Sequence, residues 1–197
     1  MATLTARREQ IIRVAIKLLS EGGMTALTTK NLAKAVGVTE PALYRHFNSK
    51  LDILVAILDH FERHMQVLFD RSLSPDEAVL DQIQTVYSRV FQSFSAQPAL
   101  ASVVFSEELF RHDKRLAERV ARIMDVVEGH ILNLLRSKKG RAECRADVPA
   151  KDLARVVMGS LRFIVTRWRL KAYEFDLEKE GAAFWQSLRR MMAAPAK

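Results

Sequence analysis

Two short helix-like stretches divided by a single glycine constrain this chain more than any other feature. In TTKNLAKAVGVTEPALYRHFN, residues 28–48, Gly37 lies between an apolar pair at Leu32 and Val36 and a second pair at Leu43 and Phe47. The spacing predicts two short helices that meet at Val36-Gly37-Val38, where glycine supplies the left-handed conformation that a tight turn needs. Thr28 and Thr39 stand where N-caps are expected, and Glu40 and Pro41 fall in the first turn of the second helix. An acid suits the helix dipole there, and a proline sacrifices no hydrogen bond. Ala33 lets the helices approach, while Leu32, Val36, Val38 and Leu43 close a small core. The pattern is that of a helix-turn-helix, whose second helix lies in the DNA major groove.

Helical spacing continues along the rest of the chain, with no strand alternation bounded by turn residues, so the expected fold class is all-α. Residues 5–21 place Ile11, Ile12, Ala15, Leu18 and Leu19 on one stripe that ends at Gly22-Gly23. From Asn48 the helices lengthen. SPDE at 74–77 predicts a helix start, with Ser74 as N-cap, Pro75 at the first position and Glu77 completing a capping box; that helix ends at Gln97-Pro98. ALASVVFSEELF is expected to split into short helices. Leu116, Val120, Met124, Val127, Ile131, Leu134 and Leu135 trace the inner stripe of a long helix that stops at Lys138-Lys139-Gly140. A basic, mobile loop is expected over 138–148, a helix from Pro149, a last helix capped by Asp176, and a frayed AAPAK tail. The expected organisation is a three-helix unit over 1–47 and a helical bundle over 48–197, joined without a flexible linker.

The net charge of +8 points to a polyanionic partner, and its placement matters more than its size. Within residues 1–50, Arg7, Arg8, Arg13, Lys17, Lys30, Lys34, Arg45 and Lys50 face only Glu9, Glu21 and Glu40, so +5 of the +8 sits in the first quarter. An ordinary solvated surface is the competing reading, and the polar outer face of the second short helix favours phosphate. A chain that is 49% hydrophobic and 27% charged is of the folded, soluble kind. No apolar run approaches the ~18 residues of a spanning helix, and Arg13 and Lys17 interrupt what would be the apolar part of a secretory signal. The one cysteine, Cys144, excludes an internal disulfide and suits a reducing cytoplasm. Set among the cations of Lys138–Arg145 it could be a low-pKa oxidant sensor, or an inert loop cysteine. His60 and His64 are four apart but lack a third ligand, Glu107-Glu108 is a solvated acidic pair, and no nucleophile motif or phosphate loop stands at useful spacing. The expectation is a non-enzyme with no metal or other cofactor.

The run TTKNLAKAVGVTEPALYRHFNSKLDIL resembles the DNA-binding region of the TetR family of bacterial transcriptional regulators. The resemblance rests on a threonine-rich helix start, a glycine-containing turn, and a Tyr-x-His-Phe-x-x-Lys signature at Tyr44, His46, Phe47 and Lys50. It covers about residues 7–60; beyond them only length and helical architecture match. It implies a homodimeric, mostly repressing regulator that leaves its double-stranded DNA operator when a small molecule enters the bundle. Residue chemistry is consistent with this. Thr28, Thr29 and Lys30 at a helix N-terminus suit a phosphate. Thr39, Glu40, Pro41, Ala42 and Arg45 are candidates for base edges, with Arg45 equally suited to a phosphate and Pro41 and Ala42 offering apolar contact. Tyr44, His46 and Lys50 are assigned to the DNA backbone, with a structural role as the alternative for His46; Phe47 is assigned to the core.

In the bundle, Leu161, Ile164, Val165, Trp168, Phe184, Trp185, Leu188 and Met192 make the last two helices rich in large apolar residues. They are expected to pair with the same helices of a second copy, packing within one subunit being the alternative. Phe61, Met65, Tyr87, Phe91, Phe94, Phe105, Phe110 and Met124 are candidates for an apolar pocket that admits a small hydrophobic effector, or are plain core. The competing function is an effector-free DNA-binding protein whose bundle docks another protein.

Overall fold

A computed structural model describes residues 5–72, 76–106 and 113–195. Among them every regular element is an α-helix, and the only bridge is an isolated antiparallel one between Cys144 and Ala193. Two compact units emerge: Met1–Phe61 with Gln97–Val120, and Glu62–Ala96 with Ala121–Lys197. The 1–47 segment expected to form a helix-turn-helix lies wholly within the first.

In the first unit, α1 (Ala6–Ala26) starts at Thr5, whose hydroxyl accepts the Arg8 N–H. Its regular course breaks at Gly22 and at Gly23, which takes φ 65°. α2 (Thr29–Val36) and α3 (Glu40–Tyr44) follow, then α4 (Lys50–Ser72), and later α6 (Pro98–Val104). α1 packs on α2 and α6 through Ile11, Ile12, Ala15 and Leu19, and α2 on α3. Leu32, Ala33, Leu43 and Phe47 are buried with them, each large side chain contributing about 1.5–3 kcal/mol of burial. The opening turns of α7 (Lys114–Arg136) are tied to α4 by ion pairs, Arg115 to Asp52 at 2.7 Å and Arg119 to Asp59 at 2.6 Å.

The second unit is organised around α5 (Val79–Ala96), which packs on α8 (Lys138–Glu143), α9 (Ala150–Leu170) and α10 (Leu177–Met192). α9 and α10 also pack on each other. A Cβ added at Gly181 would lie 2.4 Å from the Phe91 ring, so α10 brings bare backbone against an aromatic face of α5. Tyr87 sits edge-on to Phe91 and 5.2 Å from Trp185, with its hydroxyl 3.2 Å from Ser160. Burial pushes its phenol up to about 12.

Several sequence expectations change. Ser74 and Pro75 lie outside the described residues, and Glu77 precedes α5 instead of standing in its first turn. The N-terminus of α5 is capped from a distance instead: the Glu143 carboxylate accepts the Val79 N–H at 2.6 Å, and Lys139 Nζ holds the Asp76 and Glu77 carbonyls. The expected mobile loop therefore contains a helix, α8, whose N-cap Ser137 accepts the Gly140 N–H. A side chain at Gly140 would meet the Leu134 carbonyl at 2.2 Å, which is why glycine sits where α7 turns into α8. The tail is pinned rather than frayed up to Ala194, whose N–H donates to the Glu143 carbonyl. On α7 the buried stripe runs through Ile123, not Met124, because both lie one turn beyond Val120 and spacing alone cannot choose between them.

Candidate nucleic-acid interface

The helix-turn-helix is built from local hydrogen bonds. Thr28 Oγ accepts the Asn31 N–H at 3.1 Å and Thr39 Oγ the Ala42 N–H at 3.4 Å, so the caps of α2 and α3 are those expected. Gly37 takes φ 76°, and the N–H groups of Gly37 and Val38 return to Lys34 and Ala33, a Schellman closure that positions α3. Thr29 and Glu40, eleven residues apart, are joined directly: the threonine hydroxyl donates to the carboxylate at 2.9 Å. That hydroxyl proton is thereby committed, whereas Thr28 and Thr39 use only oxygen lone pairs for capping and keep a proton to donate.

Thr28, Lys30, Thr39, Pro41, Tyr44 and Arg45 are exposed, and Thr29, Glu40, Ala42, His46 and Lys50 are half-buried. Tyr44, 46% exposed on a helix otherwise anchored by Leu43, offers its ring and hydroxyl outward. The Lys50 ammonium donates to the Met24 carbonyl at 3.0 Å, tying α4 to the end of α1, and partial burial lowers its pKa. Two of its three protons remain available. Phe47 is core, as expected, and the Arg8 guanidinium lies over its ring at 4.6 Å. Arg8 is a positioning residue that sequence reasoning missed, since no local spacing links positions 8 and 47. His46 and Phe47 border a crevice of about 260 Å³ with Arg8, Asp52 and Asp59.

The residues expected to form a dimer face are divided differently. Leu161, Ile164, Val165, Trp168, Trp185, Leu188 and Met192 are buried within the single chain, and of the eight only Phe184 is exposed. The outward apolar positions are Val156, Phe163 (66% exposed) and Leu170 on α9, and Phe184 and Met191 (53%) on α10. Each set is spaced by seven, a face two helical turns per step and distinct from the inner stripe. This outer face is the apolar one that α9 and α10 leave unburied, the expected residues apart from Phe184 lying in the interior of the single chain. Of the expected pocket residues, Phe61 and Phe105 belong to the first unit, and Met65, Tyr87, Phe91 and Phe94 are buried in the second. Met124 is 37% exposed and faces outward, and Phe110 lies outside the described residues. Cys144 is buried, and burial, with Glu143 beside it, pushes its thiol up to about 11, opposite to an activated sensor. Among the described residues no group of three metal-ligating side chains occurs, and no helix is long and apolar enough to cross a membrane.

The family model described as "Bacterial regulatory proteins, tetR family" matches residues 11–57, and that of the "YsiA-like protein, C-terminal region" matches residues 48–189. Nucleoid occlusion factor SlmA of Haemophilus influenzae is 31% identical over 176 residues, 86% of this chain and 81% of that protein. The fatty acid degradation regulator FadR from Bacillus halodurans superposes with a TM-score of 0.81 at 21% identity, over 95% of this chain and 96% of its own. FadR from Bacillus subtilis, solved in complex with stearoyl-CoA, does so with a TM-score of 0.73 at 18% identity, over 93% and 98%.

Proposed function

Because this chain belongs to the TetR family of bacterial regulatory proteins and is a DNA-binding transcriptional regulator, we propose that it represses by holding a palindromic operator as a homodimer and leaves it when a small hydrophobic effector binds. The observation that carries this is the pair of threonine caps across Gly37, which leaves one polar, cationic face of the helix-turn-helix without side-chain partners, among the described residues, at Lys30, Tyr44 and Arg45.

In this reading Thr28, Lys30 and the free N–H groups that open α2 hold one phosphate, with Thr29 contributing its N–H rather than its committed hydroxyl. Tyr44, His46 and Lys50 hold the backbone on the other side. Thr39, Glu40, Pro41, Ala42 and Arg45 reach base edges. The outward faces of α9 and α10 meet those of a second copy, and their two-fold relation makes the operator a palindrome. An apolar effector is supported by the aromatic cluster around Tyr87 and by the acyl ligand of the B. subtilis neighbour. The test is selection of bound genomic fragments by the full chain, followed by challenge with acyl-type ligands. A palindromic consensus released by one such ligand is expected; a selection that yields no consensus overturns the operator reading.

One observation favours a second reading, in which the bundle docks another protein and no effector exists: the relative with 31% identity is named a nucleoid occlusion factor, not a ligand-responsive repressor. Operator complexes that no acyl compound releases, but that recruit a protein only when DNA-bound, would support it over the first.

A further inference from the structure

The second unit carries a groove that includes none of the residues assigned above to DNA or to the outward face of α9 and α10. It lies where α7, α8 and the start of α9 converge, with a volume of about 270 Å³, and its wall is apolar through Leu135, Val148 and Leu153. Arg136, Arg141 and Arg145 stand on its rim. Arg145 is already neutralised by Asp147, its guanidinium 2.6 Å from the carboxylate. Arg136 and Arg141 are exposed and have no acidic or hydrogen-bonding side-chain partner among the described residues. Glu143, the nearest acid in sequence, is engaged at Val79.

We propose that this groove is a binding site for a small amphipathic carboxylate, its charge held by Arg136 and Arg141 and its alkyl or aryl body laid along Leu135, Val148 and Leu153. Two unpaired guanidiniums at one groove repel each other until an anion sits between them, and arginine is suited to grip a carboxylate by two parallel N–H bonds. The wall decides the rest of the ligand. Inorganic phosphate would leave it wet, and a nucleic acid strand would not fit so small a volume. The groove is preformed: Gly140 fixes the α7–α8 junction by its close approach to the Leu134 carbonyl, and the Cys144–Ala193 bridge holds the far edge. This site is separate from the aromatic core around Tyr87, so it stands or falls independently of the effector reading above.

The experiment is titration of the full chain with hexanoate, hexanol and inorganic phosphate, by calorimetry and by amide chemical shifts. Hexanoate is expected to bind saturably, shifting the Gly140 and Cys144 amides, and to bind more tightly than either hexanol or phosphate. Arg136→Gln and Arg141→Gln, at exposed positions and with melting checked by circular dichroism, should each weaken it ~10-fold. Phosphate or hexanol binding as tightly as hexanoate, shifts confined to the core around Tyr87, or unchanged affinity in the double variant would each overturn the proposal.

Discussion

The Glu143 carboxylate accepts the backbone N–H of Val79 at 2.6 Å across 64 residues of sequence, so the first turn of α5 is capped by the end of α8. A lost cap costs about 1–2 kcal/mol. Glu143→Ala should therefore lower unfolding stability by that amount in urea titration, whereas Glu143→Gln, which keeps an acceptor, should lose less. Equal stability of the alanine variant and the parent would show that the contact is idle.

Gly181 allows α10 to lie against the Phe91 ring, and the added methyl of Gly181→Ala would stand 2.4 Å from ring carbons. Overpacking of this kind costs about 1–3 kcal/mol. Replacing Phe91 by Leu in the same chain should recover part of the loss, and a double-mutant cycle with no coupling energy would show that the two residues do not meet.

Tyr44 and Lys50 are assigned to operator phosphates, but only the ammonium neutralises a phosphate charge and releases a counterion. Lys50→Ala should therefore flatten the dependence of log affinity on log salt by ~1; it also removes the bond to the Met24 carbonyl, so its stability is measured alongside. Tyr44→Ala, at an exposed position, removes a neutral hydroxyl and should weaken binding with the slope unchanged. Full affinity in the Tyr44 variant and an unchanged slope in the Lys50 variant contradict the assignment.

Phe163 and Met191 project outward from α9 and α10. Phe163→Asp with Met191→Asp should yield a monomer in sedimentation and abolish binding to a palindrome. The single-chain fold should survive, because neither side chain is part of the buried core. A dimer of unaltered affinity would place the interface elsewhere.

Asp176 caps α10 by accepting the Lys179 N–H at 3.0 Å, and that backbone bond, with further help from the Lys179 side chain and charge, holds its carboxyl below its ordinary 3.8. The unfolded chain then binds the proton more readily than the folded one. The stabilisation is present above about pH 4 and is lost as pH falls through the lowered folded value. Asp176→Asn keeps an acceptor but removes the titration, so the acid limb of the stability profile should become shallower below pH 4. A superposable acid limb would contradict the cap's contribution.

How much could be seen in the sequence follows the range of the interactions. Thr28, Thr39 and Asp176 were legible as caps because a cap spans three residues, and Gly37 because its turn closes within four. The outer polar face of α3 was legible for the same reason. Amphipathic stripes were legible only to within a position: Ile123 and Met124 fit equally well beyond Val120, and spacing could not tell that Leu161, Ile164, Val165 and Trp168 on α9 are buried within the single chain while Phe163 is exposed.

By itself, then, the sequence determined the all-α class, the helix-turn-helix and the family, because each of these is written in short-range spacing. Tertiary structure alone decided that Thr29 gives its proton to Glu40, that Arg8 covers Phe47, that Glu143 caps the first turn of α5, and which apolar face stays outside. Those partners lie 11 to 64 residues apart or compete for one core, and only packing brings them together or chooses between them.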